Sequence, residues 1–273
     1  MKNLITRTIT GAVFIASIIL SAIYSPLLFA ILFFIMAMVA MWEFQRLNIK
    51  TLPVTKAFPG ILTAVITYAV IALYALTRLG AEALWLIPAA SLLLILIHVF
   101  SAGPGALKTI TVDLLGVVMV VFPLALLNIF LNPSLVPAYH TPWFVLGMFL
   151  ILWTHDTFAY LTGSLFGKHP LSPKISPKKS IEGSIGGFGF SLIAAYIISI
   201  FSPELNLWLW ISIAVIIAVF GTLGDLAESL LKRNAGLKDS GNILPGHGGM
   251  LDRFDSVFFV SPIVLILILL SIS

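Results

Sequence analysis

The chain has 273 residues, 60% of them hydrophobic and only 10% charged, with a formal net charge of +4 and a mean hydropathy of +1.11. Soluble domains carry about 25% charged residues, so this composition excludes a soluble globular protein and indicates a polytopic membrane protein. The lack of cysteine excludes disulfides and thiolate metal sites, and a small basic excess confined to loops excludes a nucleic-acid-binding face.

Lys2 to Arg7 open a basic start ahead of an apolar run. The run continues into a second apolar stretch without a small-residue cleavage site, so it reads as a retained helix rather than a signal peptide. Crossing a hydrocarbon core takes about 20 residues per helix. On that rule nine spans are expected, at 9–24, 26–42, 58–77, 83–100, 110–131, 142–165, 184–201, 207–231 and 257–272. The fold class is therefore all-α, a polytopic integral membrane helical bundle forming one membrane domain over 1–273. Ser25-Pro26 alone separate the first two spans, as a tight hairpin or as a pair of short re-entrant helices. Five spans within 1–131 are expected to serve packing, lipid access and contact in a homodimer. Four spans within 142–273, with loops 168–183 and 232–256, form the expected catalytic half.

Lys and Arg accumulate in cytoplasmic loops. With the N-terminus inside, fourteen of the 15 basic residues fall on the inner side and Arg78 alone on the outer. This alternation gives a cytoplasmic N-terminus and an outer C-terminus. Loop 132–141 lies outside, and Trp143, Trp208 and Trp210 begin their spans at the outer interface. No internal repeat is evident, which disfavours an inverted-repeat transporter.

Nine of the 26 charged residues fall between Asp225 and Asp255. On a helix Asp225, Glu228 and Lys232 share a face, with Ser229 one turn from Asp225. Asp252 and Asp255 repeat the i, i+3 spacing. Between them come Lys232, Arg233, Lys238 and Asp239, then Pro245-Gly246-His247-Gly248-Gly249, a turn whose glycines let backbone N–H groups converge on an anion. Carboxylates, cations and such a turn suit a phosphate chelated to Mg²⁺, which takes oxygen ligands from one or two carboxylates and from the substrate. Asp225, Glu228, Asp252 and Asp255 are the candidate metal ligands, and a second cation such as K⁺ is a candidate companion. His247 has no second His or Cys at ligand spacing, so it reads as a phosphate donor or a packing residue rather than a Zn²⁺ ligand. His98 and Asp113 read as helix-packing polar residues, and His155 as a neighbour of Asp156 pointing elsewhere.

Asp156 and Asp225 lie deep in the sixth and eighth spans, near the inner boundary. An Asp within a span costs about 2.5–3.5 kcal/mol on insertion scales, so it has a partner or a task. An internal ion pair with Lys232 or Arg233 is the structural alternative. The sixth-to-seventh loop holds Ser176, Lys178, Lys179 and Glu182 among restraining prolines. It is a second candidate phosphate-binding element, against the plainer role of enforcing topology.

Ser229, Lys232-Arg233, Lys238-Asp239, Gly241, Leu244-Pro245, His247-Gly248-Gly249 and Asp252-Arg253-Phe254-Asp255 resemble the signature of the phosphatidate cytidylyltransferase (CDP-diacylglycerol synthase) family. The likeness extends to Asp156-Thr157-Phe158-Ala159-Tyr160 and Ser176-Pro177-Lys178-Lys179-Ser180-Ile181-Glu182-Gly183. It thus covers the C-terminal half with specific motifs. The resemblance implies an inner-membrane enzyme that makes CDP-diacylglycerol and pyrophosphate from CTP and phosphatidic acid, with a cytoplasmic site and membrane lipids as neighbours. Its expected catalytic residues are Asp225, Lys232, Arg233, Lys238, Asp239, His247, Asp252 and Asp255. Ser176, Lys178, Lys179, Glu182, Ser229, Gly248, Gly249, Arg253 and Asp156 are the expected substrate-binding residues. A cation-coupled transporter using Asp156, Asp225 and Glu228, or a lipid kinase or cytidylyltransferase acting on another lipid phosphate, would share these electrostatics.

Overall fold

The computed structural model describes residues 2–49, 54–101, 105–132, 142–202, 205–246 and 248–272. Among them nine helical stretches are long and apolar enough to cross a membrane, as hydropathy requires. The first two spans are α1 (Lys2–Tyr24) and α2 (Pro26–Asn48), each 23 residues. At about 1.5 Å per residue either is long enough to cross, so Ser25-Pro26 form a tight hairpin. Ser25 Oγ caps α2 by accepting from Leu27 N at 3.2 Å, and Pro26 fills the first helical turn, where its missing N–H costs nothing.

Next come α3 (Val54–Ala75) and α4 (Leu86–Phe100), the latter entered through a 3₁₀ turn at Ala81–Trp85. The fifth span joins α5 (Ala106–Gly116) to α6 (Phe122–Leu126) through a π-helical turn at Val117–Val121. Then follow α7 (Pro142–Phe166), a short hairpin of β1 (Pro170–Ser172) and β2 (Ser176–Ser180), and α8 (Ile181–Phe201). The eighth span likewise consists of α9 (Leu207–Ile216), a π-helical turn at Ile217–Gly221 and α10 (Thr222–Asn234). The last is α11 (Leu251–Ile272).

Two close approaches position the functional residues. Gly183 and Gly187 lie one turn apart on α8 and face α7. A Cβ on Gly183 would come within 2.7 Å of Ala159 O, and one on Gly187 within 2.7 Å of His155 O. Small residues at i and i+4 let membrane helices pack backbone to backbone, and Phe158 stacks on Phe190 at 3.7 Å beside them. This contact carries the hairpin end, with Lys179, to the side of Asp156. Similarly Gly224 of α10 lies against α11, where a Cβ would meet Asp255 O at 2.5 Å.

An aromatic cluster joins the two halves of the chain. Phe254 of α11 lies 5.7 Å from both Phe14 of α1 and Phe33 of α2, and Phe33 lies 6.2 Å from Phe149 of α7. Phe254 is 1% exposed; burying it turns the polar residues on either side of it, Arg253 and Asp255, toward the neighbouring cavity.

The helix boundaries differ from hydropathy at two points that matter. The eleventh helix starts at Leu251, six residues ahead of the expected 257, so Asp252 and Asp255 sit on its first turns. It starts where its free N–H groups find acceptors, and apolarity has no bearing on that. The loop 168–183, expected as an ordered, proline-restrained segment without regular structure, contains the β1–β2 hairpin and ends in a cap: Ser180 Oγ accepts from Gly183 N at 3.1 Å. Loop positions 133–141 and 203–204 and the turn residue His247 lie outside the described residues.

Candidate active site

At one end of the bundle, α1, α7, β2, α8, α10 and α11 enclose an open cavity of about 810 Å³. Asp156, Lys178, Lys179, Asp225, Asp252, Arg253 and Asp255 line it with Ser176, Ser180 and Ser184, while Phe14, Ile15, Leu152 and Trp153 supply an apolar wall. Charged groups and an apolar flank thus share one space.

Asp225, Glu228 and Asp255 each place a carboxylate oxygen within 4.8 Å of the other two. The i, i+3 spacing on α10 brings the first two together, and the Gly224 approach adds the third from α11. Glu228 is 4% exposed and its Oε1 has no hydrogen-bond partner. Three converging hard oxygens, one of them orphaned in a buried position, fit a divalent cation of the Mg²⁺ class. Two ammonium groups compensate this charge: Lys179 pairs with Asp225 and Lys232 with Glu228. Burial pulls the Lys179 ammonium below its ordinary pKa, with the carboxylates of Asp255 and Asp156 acting in the opposite direction.

Asp252 stands apart from that trio. Its Oδ1 accepts from Lys232 Nζ at 2.7 Å, and its Oδ2 accepts from Gly249 N at 2.8 Å and from Ser240 N and Oγ, both at 3.0 Å. A carboxylate this occupied by donors braces the 237–250 loop. Ser229 Oγ lies 3.4 Å from Asp225 Oδ1, behind the cavity.

Other expected site residues point elsewhere. Arg233 donates from Nη1 to Leu237 O at 3.0 Å. That bond tightens the end of α10, where Gly236 at φ 71° closes the helix through Leu237 N to Lys232 O. Lys238 and Asp239 are exposed and are absent from the cavity wall. Glu182 accepts from the backbone N–H of Lys168 and His169 at 3.1 and 3.2 Å and meets His169 Nδ1 at 2.6 Å, so it fixes the hairpin's base. Gly248, at φ 82°, shapes the turn through Leu244 N to Gly248 O at 3.1 Å. His155 is buried beside Asp156, with Nδ1 at 3.2 Å from Oδ1.

Away from this end, His98 and Asp113 pair at 3.0 Å, and Gln45 Nε2 donates to Asp113 at 2.8 Å. His98 and Asp113 thus pair as packing residues, as their sequence context suggests.

Sequence reasoning missed the contribution of the N-terminal helices. Thr10, Gly11 and Phe14 of α1 line the cavity, and Glu43 of α2 is fully buried with Oε2 accepting from Leu251 N at 2.8 Å. The available signal was an acid amid the apolar end of the second span, in Trp42-Glu43-Phe44.

Comparison with known proteins places these features in a wider group. The model of a family described as the cytidylyltransferase family matches residues 5–271. A phosphatidate cytidylyltransferase of Staphylococcus haemolyticus is 53% identical over 127 residues, which cover 46% of this chain and 49% of that protein. One from Staphylococcus saprophyticus subsp. saprophyticus is 52% identical over 127 residues, with the same coverage. One from Staphylococcus aureus strain COL is 52% identical over 129 residues, 47% of this chain and 50% of that protein. The chain spans about half the length of the curated relatives it matches.

Proposed function

The chain belongs to the cytidylyltransferase family, and on that premise we propose that it joins CTP to phosphatidate at this cavity, forming CDP-diacylglycerol and pyrophosphate. The observation that carries the reading is the trio Asp225, Glu228 and Asp255 beside the cavity cations Lys178, Lys179 and Arg253 and an apolar wall. Such a site suits a substrate pair in which one member is a polyanion and the other an anion with acyl chains.

In the reaction, an oxygen of the lipid phosphate bonds to the α-phosphorus of CTP while the bond from that phosphorus to the β-phosphate oxygen breaks, releasing pyrophosphate. The nucleophile is already an anion, so alignment and charge neutralisation dominate and no strong general base is needed. Lys178 and Arg253 are exposed at the cavity and meet the phosphates there. Lys179 holds Asp225 and offers a further cation beside it. Phe14, Ile15 and Trp153 give the lipid's chains an apolar flank. Asp225, Glu228 and Asp255 would hold Mg²⁺, which when bound offsets the charge that develops on the leaving pyrophosphate. The 14-to-1 distribution of basic residues supports a cytoplasmic N-terminus and a site on the cytoplasmic face of the cell membrane. CTP would then arrive from the cytosol and phosphatidate from the bilayer.

The test is pyrophosphate release by purified protein in mixed micelles. It should require CTP and phosphatidate together; release without lipid, or none with both, would contradict the proposal.

A further inference from the structure

Among the described residues, every charged residue lining the cavity comes from the C-terminal half. Yet Glu43 of α2 is 1% exposed and directed at the loop that enters α11. Its Oε2 accepts from Leu251 N at 2.8 Å and lies 3.3 Å from Ser240 Oγ, which is itself 3.0 Å from Asp252 Oδ2. A hydroxyl has a single proton, so Ser240 Oγ donates to one of these carboxylates at a time, while its backbone N–H stays on Asp252. The loop packs directly on Glu43: a Cβ on Gly249 would come within 2.5 Å of Oε2 and 2.7 Å of Oε1. A buried ionisable group in a membrane helix is expensive and marks a task.

The first N–H groups of a helix have no partner within it. For α11, whose first residue is Leu251, the acceptor of Leu251 N is Glu43, a residue 208 positions away in sequence on a different helix, while Asp252 takes Gly249 N just ahead of the helix. We infer that Glu43 is a positioning residue. By capping α11 from α2, it sets the rotation of the helix's first turns, on which Asp252 meets Lys232 and Asp255 meets Asp225 and Glu228. Glu43 is not among the three converging carboxylates and does not line the cavity, so it acts on the cation site through the backbone of α11. This inference rests on the divalent-cation reading of that trio.

The test measures Mn²⁺ affinity of the purified full-length protein in detergent, without substrates, by electron paramagnetic resonance. Glu43→Gln keeps an oxygen for Leu251 N and should bind Mn²⁺ within about threefold of the original protein. Glu43→Ala removes the acceptor and should weaken binding by about tenfold or more, as loss of groups supporting metal ligands does. A purely stabilising residue would lower the melting temperature and leave Mn²⁺ affinity unmoved. Ser240→Ala keeps the backbone donor and removes only the hydroxyl bridge. It should weaken binding by about tenfold, and it carries the test if Glu43→Ala does not fold. Unchanged affinity in Glu43→Ala, equal losses in the Gln and Ala variants, or unchanged affinity in Ser240→Ala where that variant carries the test, would overturn the inference. If the original protein binds no Mn²⁺, the cation reading itself fails and takes this inference with it.

Discussion

Lys232 Nζ lies 2.7 Å from Asp252 Oδ1 and also pairs with Glu228 one turn back on its own helix. One ammonium therefore ties α10 to α11 at the level where the carboxylates gather. The three side chains are only 12%, 4% and 7% exposed, so their charges depend on one another.

Removing one partner from a buried ionic network costs about 3–5 kcal/mol, because the remaining charge is left uncompensated. Lys232→Met should therefore destabilise the protein by about that amount, and turnover should fall with it. Thermal unfolding in detergent measures the loss, and a variant that melts with the original protein would show that Lys232 does not bridge the helices.

Asp225 and Asp252 should separate in their effects. Asp225→Asn and Asp255→Asn remove charge from the cation trio, so turnover should drop by about a hundredfold or more with little change in melting temperature. Asp252→Asn instead weakens the brace on Ser240, Gly249 and Lys232, and should lower melting temperature and turnover together. Turnover at limiting Mg²⁺, paired with unfolding curves, distinguishes the two; an Asp252→Asn variant that is inactive yet fully stable would put Asp252 back among the metal ligands.

Lys178 faces the cavity without a carboxylate partner among the described hydrogen bonds and ion pairs, whereas Lys179 is engaged with Asp225. Lys178→Ala should then act mainly on substrate binding. Loss of one charge-assisted phosphate contact costs about 1.5–3 kcal/mol, roughly tenfold to over a hundredfold in kcat/KM. Kinetics that vary CTP and phosphatidate separately would assign the contact, and unchanged constants for both would exclude Lys178 from the phosphates.

How far the sequence spoke depended on the range of the interaction. The spans were legible because about 20 consecutive apolar residues is a local requirement, and the Asp225, Glu228 and Lys232 face followed from helical periodicity. The β1–β2 hairpin was hidden because Ser176-Pro177-Lys178-Lys179-Ser180 has no apolar alternation to announce a strand. Glu43 was hidden for a different reason: a lone acid near the end of a span reads as an interfacial charge, and its partner Leu251 is 208 residues away. The same distance effect separates the basic residues of the motif. Lys232 packs against α11 through Asp252, whereas Arg233 closes the end of α10 on Leu237 O and Lys238 is exposed in the loop that follows.

Topology gives a prediction independent of chemistry. The chain has no cysteine, so single cysteines report cleanly. With the N-terminus inside, Ser176→Cys and Ser240→Cys should react with a membrane-impermeant thiol reagent only after the inner face is opened, and Ser134→Cys should react in intact cells. Labelling of positions 176 and 134 from the same side would overturn the proposed orientation.

The central claim is transfer of the cytidylyl group to a lipid phosphate, and the fate of each CTP phosphorus tests it most directly. Purified protein in mixed micelles with phosphatidate and Mg²⁺ should move label from the α-phosphate of CTP into the lipid fraction and label from the γ-phosphate into pyrophosphate, with both transfers abolished by EDTA. Label from the γ-phosphate in the lipid would identify a kinase, and no label in the lipid from either position would contradict the account.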